Sequence, residues 1–177
     1  MTSAQASGGA VVKAPPYRLD RLGVVMQPLP GEDSEAEGVL NPACARGRDG
    51  ELYLFPRLVA KGNFSRVGRA RVTFDNESKP IGVERLGVVL EPDQAWEQNA
   101  ITAGVEAPRI TFVESLDVYV MAYSAYGPLG PRIGLAVSKD LEEWERLGPT
   151  SFDCGPALQT ALTPHPSHAT LAAIAQA

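Results

Sequence analysis

The stretch Gly104-Val105-Glu106-Ala107-Pro108-Arg109-Ile110-Thr111-Phe112-Val113 places a carboxylate and a guanidinium on either side of a proline, at the entrance to an apolar run. A run of this length reads as a strand. Proline is tolerated at the start of a strand or on an edge, where no ladder donor is lost. The sequence therefore predicts Glu106 and Arg109 at one mouth of a sheet, a place suited to a polar site.

Upstream, four strand-sized segments follow one another with turn residues between them. They are Gly38-Val39-Leu40-Asn41-Pro42-Ala43-Cys44, residues 51–59, residues 65–74 and residues 83–90. The Arg48-Asp49-Gly50 and Asp75-Asn76 turns punctuate the series. The same order recurs downstream at a fixed shift, since 108 − 42 = 66. That shift pairs Pro42 with Pro108, Tyr53 with Tyr119, Arg66 with Arg132, Gly68 with Gly134 and Ala70 with Ala136, without a gap. The second copy runs from Glu106 through residues 118–124 and 132–138 to a short last strand near Trp144.

A repeating unit of four strands is the sequence sign of a propeller blade, whose first strand lines a central channel. The reading is all-β: a partial β-propeller of about two blades of four antiparallel strands. Asn41 and Glu106 begin the first strands of their copies and are predicted to point toward one end of the channel. Two blades are too few to close a ring, so the chain is expected to form part of a larger one.

The bulk properties agree with a globular β protein. The 177 residues suffice for one domain with a proper core. Gly 17 and Pro 15 suit many short strands and turns. The net charge of −5 argues against nucleic acid as the main partner. Cys44 and Cys154 have no metal-site spacing and are read as free thiols. No run of 18 apolar residues is present, and the N-terminus lacks an apolar signal region. The expected location is cytoplasmic, with no membrane partner. Residues 1–20 are expected to be a flexible tail, 21–153 the partial propeller and 154–177 an unmatched tail. Residues 154–177 carry no charge and continue neither repeat, which favours a reading-frame change or truncated gene over a natural linker.

Residues 21–153 resemble glycoside hydrolase family 130, the mannoside phosphorylases and mannosidases. The residues that carry the resemblance are Asn41-Pro42-Ala43, Arg57, Asn63-Phe64-Ser65-Arg66-Val67-Gly68-Arg69-Ala70, Gly104 to Thr111, Tyr123-Ser124-Ala125, Arg132 to Asp140 and Trp144. The resemblance implies a five-bladed propeller of roughly twice this length. It also implies cleavage of β-mannosidic bonds, with water as the nucleophile in hydrolases and inorganic phosphate as co-substrate in phosphorylases. No other cofactor and no metal is implied. The family's general acid is an Asp in a Gly-x-Glu-Asp-Pro-Arg pattern, and here that position is Ala107. An alanine cannot donate a proton, and a general acid is worth about 10²–10⁴ in rate. Little or no activity is therefore expected from this chain alone; the alternatives are a non-catalytic carbohydrate-binding propeller and a non-functional fragment.

Asn41, Arg57, Ser65, Arg66, Glu106, Arg109 and Tyr123 match family positions near the substrate, a small carbohydrate. Glu106 and Arg109 lead these candidates, because both groups make charge-assisted bonds to hydroxyls. Their structural alternative is an ion pair at a strand entrance. Glu106 is also considered as a partial substitute for the acid. Arg69 and Arg71 share a strand face opposite Arg66 and read as solvated rather than phosphate-binding. Tyr53, Tyr119 and Trp144 read as packing residues, Glu142-Glu143 as exposed, and residues 127–131 as a loop. His165 and His168 lie three apart in the C-terminal tail and are not read as a metal site. Homo-oligomerisation is left open.

Overall fold

A computed structural model describes residues 17–18, 20–99 and 102–150. The expectations for residues 1–16 and 151–177, including Cys154, His165 and His168, lie outside the described residues. Among the described residues, eight strands fall into two antiparallel units. The first is β1 (Gly38–Arg46), β2 (Leu52–Ala60), β3 (Phe64–Phe74) and β4 (Pro80–Leu90). The second is β5 (Gly104–Val113), β6 (Val118–Gly127), β7 (Gly130–Ser138) and β8 (Glu145–Pro149). Within each unit consecutive strands pair antiparallel, which makes each a propeller blade.

The repeat is real in three dimensions. The starts of β1, β2 and β3 fall on those of β5, β6 and β7 at the same shift (104 − 38, 118 − 52 and 130 − 64 are all 66). The last pair differs by one residue (145 − 80 = 65). The apolar run at residues 21–26 forms no strand; Met26 instead lines a cleft of about 210 Å³ with Leu58, Gly68, Arg85 and Val88. Residues 127–131 form a tight hairpin, with Pro128 and Leu129 between the paired Gly127 and Gly130. No helix among the described residues is long and apolar enough to cross a membrane.

Alternation along the strands explains the packing. In β6 the odd residues Tyr119, Met121, Tyr123 and Ala125 are all buried, while the residues between them are half-buried or exposed. They meet Ala43, Phe55, Val67 and Leu90 of the first blade in one core. Trp144 closes it edge-on to Phe55, with ring centroids 6.0 Å apart. Tyr53 and Tyr119 are both buried, as the repeat predicts, and each hydroxyl is satisfied. Tyr53 donates to Asp49 (2.6 Å) and Tyr119 to the Arg46 carbonyl (2.9 Å).

Among the described residues, backbone pairing between the blades is confined to one parallel bridge, Ser65 with Gly104, beside a bond from the Ser65 N–H to the Ala103 carbonyl (2.9 Å). Side chains do the rest. Arg48 reaches Asp117, Arg57 reaches Glu106 and Arg69 reaches Glu142, each at 2.8 Å. Arg69 corrects the sequence reading. Its side chain is only 11% exposed and lies over the Tyr53 ring at 4.5 Å, so it is an inter-blade strut, not a solvated charge. Arg71 does remain at the surface, paired with Glu84.

Two buried carboxylates fasten segments outside the strands. Glu97, in the link between the blades, is 0% exposed. One of its oxygens accepts from the Tyr123 hydroxyl (2.7 Å) and Arg146 Nε (2.9 Å), and the other accepts from the Gln94 N–H (3.2 Å). Glu35, in the short turn Asp33–Glu35, takes both arms of Arg85 (2.8 and 2.9 Å) and the Leu29 N–H (2.8 Å). The hydrogen bonds from Arg85 hold the Glu35 carboxyl below its ordinary range near 4.5, against the opposing effect of burial.

Breaking one partner of a buried pair strands the other, at a typical cost of about 3–5 kcal/mol. Glu97→Ala is expected to lose that much in chemical denaturation, and Glu97→Gln less; a loss under about 1 kcal/mol would show the pair to be incidental. Glu35 predicts a pH effect. A depressed carboxyl contributes stability above its unfolded pKa and loses it as pH falls through the folded value. Glu35→Gln is expected to flatten the fall in stability between about pH 5 and pH 3, read from denaturation midpoints. An unchanged slope would remove Glu35 as its source.

Candidate carbohydrate site at the strand bulges

Prolines 42 and 108 sit inside β1 and β5, not at their entrances, which corrects the sequence expectation. A proline inside a strand lacks a ladder donor, and a bulge absorbs the defect. In the first blade Leu40 pairs with Arg57 and Ala43 with Phe55, so Asn41 and Pro42 together oppose Pro56. In the second, Glu106 pairs with Ser124 and Arg109 with Ala122, so Ala107 and Pro108 together oppose Tyr123. The leading residue of each bulge has a left-handed backbone, with φ 43° at Asn41 and 45° at Ala107. The structural counterpart of Asn41 is therefore Ala107 rather than Glu106.

This geometry bears on the residue at 107. Left-handed φ is crowded for residues with a Cβ, and Asn and Asp tolerate it best after Gly. Asn41 suits its bulge. Ala107 does not, yet its backbone keeps the same conformation.

Beside this bulge three candidate residues converge from both blades. Glu106 folds back over Gly104, where a Cβ would lie 2.7 Å from its Oε1. That oxygen accepts from Arg57 Nη2 (2.8 Å) and from the Ser65 hydroxyl (3.3 Å). Arg57 Nε donates to the same hydroxyl at 2.8 Å, and Nη2 also donates to Asn63 Oδ1 at 2.7 Å. The ion-paired side chains are 13% and 17% exposed, and Ser65 is fully buried. The arrangement holds a carboxylate and a guanidinium in fixed directions at the surface end of the inter-blade contact, a geometry suited to paired hydroxyls.

The remaining candidates lie elsewhere. Arg109 does not pair with Glu106; its Nη1 donates to the Pro108 carbonyl (2.7 Å). Its register partner is Ala122, on the sheet face turned from the buried row of β6. The ion pair expected at the strand mouth exists, but with Arg57 as the cation. Arg66 sits over the Phe64 ring (4.6 Å) and pairs with Glu91 (3.4 Å). Tyr123 is 2% exposed and stacked on Trp96, its hydroxyl bound by Glu97. Burial and the neighbouring Glu97 charge push that hydroxyl well above its ordinary range. Gly134 is required beneath it, since a Cβ there would come within 2.5 Å of the ring. Asn41 is exposed in its own bulge. Asn63 is not among the sequence-predicted contacts, yet it completes the cluster from the β2–β3 turn. Its left-handed φ of 57° is the kind of position where asparagine is favoured. Among the described residues no group of three or more His, Cys, Asp or Glu is placed to hold a metal.

Relieving left-handed strain at an alanine gains roughly 0.5–1 kcal/mol. Ala107→Asn is therefore expected to raise the melting temperature by a few degrees, and Ala107→Gly by no more. A lower melting temperature for Ala107→Asn would show that position 107 stores no such strain.

A family model described as beta-1,4-mannooligosaccharide phosphorylase matches residues 24–160, seven residues beyond Asp153 (160 − 153). A putative glycoside hydrolase from Parabacteroides distasonis superposes with TM-score 0.59 at 27% identity, covering 78% of this chain and 43% of its own. Another from Bacteroides ovatus gives TM-score 0.58 at 30% identity, covering 80% and 42%. A third structure is of the GH130 family of mannoside phosphorylases, which contains glycoside hydrolases that target beta-1,2 mannosidic linkages in Candida mannan. It gives TM-score 0.59 at 25% identity, covering 78% and 42%. No curated protein matches the chain. The chain thus spans less than half the length of these solved structures, and its two blades match part of their five-bladed propeller. Repeat, fold and family model agree, and the chain belongs to glycoside hydrolase family 130.

Proposed function

We propose that this chain carries part of the sugar-contacting wall of a β-mannoside phosphorylase or hydrolase, with the general-acid position vacated at Ala107. The observation that carries the proposal is the Arg57–Ser65–Glu106 cluster, built across two blades and directly beside the bulge at 107. Glu106 Oε1 is committed to Arg57 and Ser65, while Oε2 accepts no hydrogen bond among the described residues. One oxygen fixes the carboxylate and the other is free to accept from a sugar hydroxyl.

The expected reaction of a complete site is inverting cleavage at a mannosyl C1. A carboxylic acid protonates the leaving oxygen while water or phosphate attacks from the opposite face. In this chain the first of those roles has no group at 107 to perform it. The Glu106 carboxylate is already engaged through Oε1 by Arg57 and Ser65. Binding without turnover is the result. Arg57 and Glu106 make the sugar contact in this reading, and the buried Ser65 fixes both. Arg66 and Arg109 are directed elsewhere, and Tyr123 supports the wall from beneath.

Incubation of the purified chain with β-1,2- and β-1,4-mannobiose, with and without inorganic phosphate, is expected to release neither mannose nor mannose 1-phosphate. Calorimetry with manno-oligosaccharides is expected to give a binding heat that Arg57→Lys largely removes. Turnover by the chain would overturn the loss of the acid role. Absence of any binding heat from the folded chain would overturn the sugar-contact assignment.

A further inference from the structure

Glu37 lies outside the family motifs, yet it grips the turn on which the Arg57 cluster rests. It lies in the acidic segment just before β1, and its own N–H donates to the Val59 carbonyl at 2.8 Å. Its carboxylate then reaches across the β2–β3 turn. Oε1 accepts from the Gly62 N–H (2.9 Å) and Oε2 from the Asn63 N–H (3.0 Å). These two residues have consecutive left-handed backbones, with φ 81° and 57°. Neighbouring N–H groups in such a turn converge on one side and form a natural seat for an anion. Here the anion is supplied by the chain itself. The two N–H bonds, Gly62 first, hold the Glu37 carboxyl below its ordinary range.

The effect runs outward through Asn63. The turn orients its side chain so that Oδ1 meets Arg57 Nη2 (2.7 Å), the same nitrogen that donates to Glu106 (2.8 Å). Arg57 Nε is separately tied to Ser65 (2.8 Å). Two contacts at different points of the guanidinium define its plane. Removing the Asn63 contact leaves Nη2 with Glu106 alone, so the far end of the guanidinium loses one of its two fixed directions. A planar, forked donor transfers orientation well only when its plane is fixed.

We infer that Glu37 is a positioning residue for the sugar-contacting cluster: by clamping the Gly62–Asn63 turn it fixes Asn63, and through it the plane of Arg57 facing Glu106. The role of the cluster in sugar binding rests on the proposed function; the clamp on Arg57 does not. Serving only as a general support for the first blade is the competing role. That role moves global stability and leaves the guanidinium alone in any variant that stays folded.

The experiment compares the parent chain with Glu37→Gln and Glu37→Ala. The amide keeps one acceptor oxygen and loses the second, while alanine loses both. Arg57 is followed by nitrogen-15 NMR of its Nε–H and Nη groups, assigned with Arg57→Lys, and global stability by thermal melting. The expected result is a graded release. Separate, slowly exchanging Nη signals in the parent broaden in Glu37→Gln and merge in Glu37→Ala at temperatures where both variants remain folded. Unchanged Arg57 signals in both variants would overturn the inference. So would changes seen only when the whole blade melts. Calorimetry with a manno-oligosaccharide then tests the link to function. Loss of about tenfold in affinity in Glu37→Ala, with Glu37→Gln between, is expected for one charge-assisted contact. Released Arg57 signals with unaltered affinity would overturn positioning for sugar. No binding by the parent would overturn the sugar-contact reading, and the NMR result would still decide the clamp.

Discussion

The structure depends on how two inner strands accommodate a proline. Pro42 and Pro108 remove a donor from the first strand of each blade, and in both cases the chain answers with a bulge led by a left-handed residue. The bulge governs the rest of the strand. It inserts one extra residue, which turns successive side chains to new directions. Glu106 folds back over Gly104 toward Arg57, while Arg109, brought onto the same face by the bulge, turns to the Pro108 carbonyl. The site and the core are divided by this local irregularity and not by alternation alone.

Around the bulge the structure layers its polar contacts. Ser65 is wholly buried and serves both members of the ion pair. Asn63 braces the guanidinium from the turn, and Glu37 braces the turn. A salt bridge this enclosed contributes little net stability, because desolvation offsets attraction. Its value lies in direction: the pair holds two polar groups at set angles where the blades meet. Glu97 does the corresponding task below, where Tyr123 and Arg146 share one buried carboxylate.

Much of this is legible in the sequence. The 66-residue shift marks both blades, because equivalent positions face the same packing demands; Tyr53 and Tyr119 are both buried for that reason. Arg57, Ser65 and Glu106 are each recognisable as candidates, and the fold brings them together. What sequence cannot supply is who meets whom. Arg109 is three residues from Glu106 and would take the opposite face of a regular strand; the bulge returns it to the same face, yet its guanidinium turns to the Pro108 carbonyl and not to Glu106. Asn41 aligns with Glu106 when both are taken as strand heads, whereas the backbone matches it to Ala107. Arg69 reads as solvated because alternation says which face a residue takes, not whether another blade covers that face. Glu97 lies in a link without periodicity, so no pattern flags a carboxylate destined for full burial.

The three struts between the blades share a direction. Arg48, Arg57 and Arg69 all belong to the first blade, and Asp117, Glu106 and Glu142 all belong to the second. The junction therefore has a polarity, like a plug and a socket. A mirrored arrangement, with two copies of the first blade's cationic face opposed, would set guanidinium against guanidinium across a shared apolar core. Apolar contact supplies the adhesion between the blades, and these three ion pairs give their contact a direction.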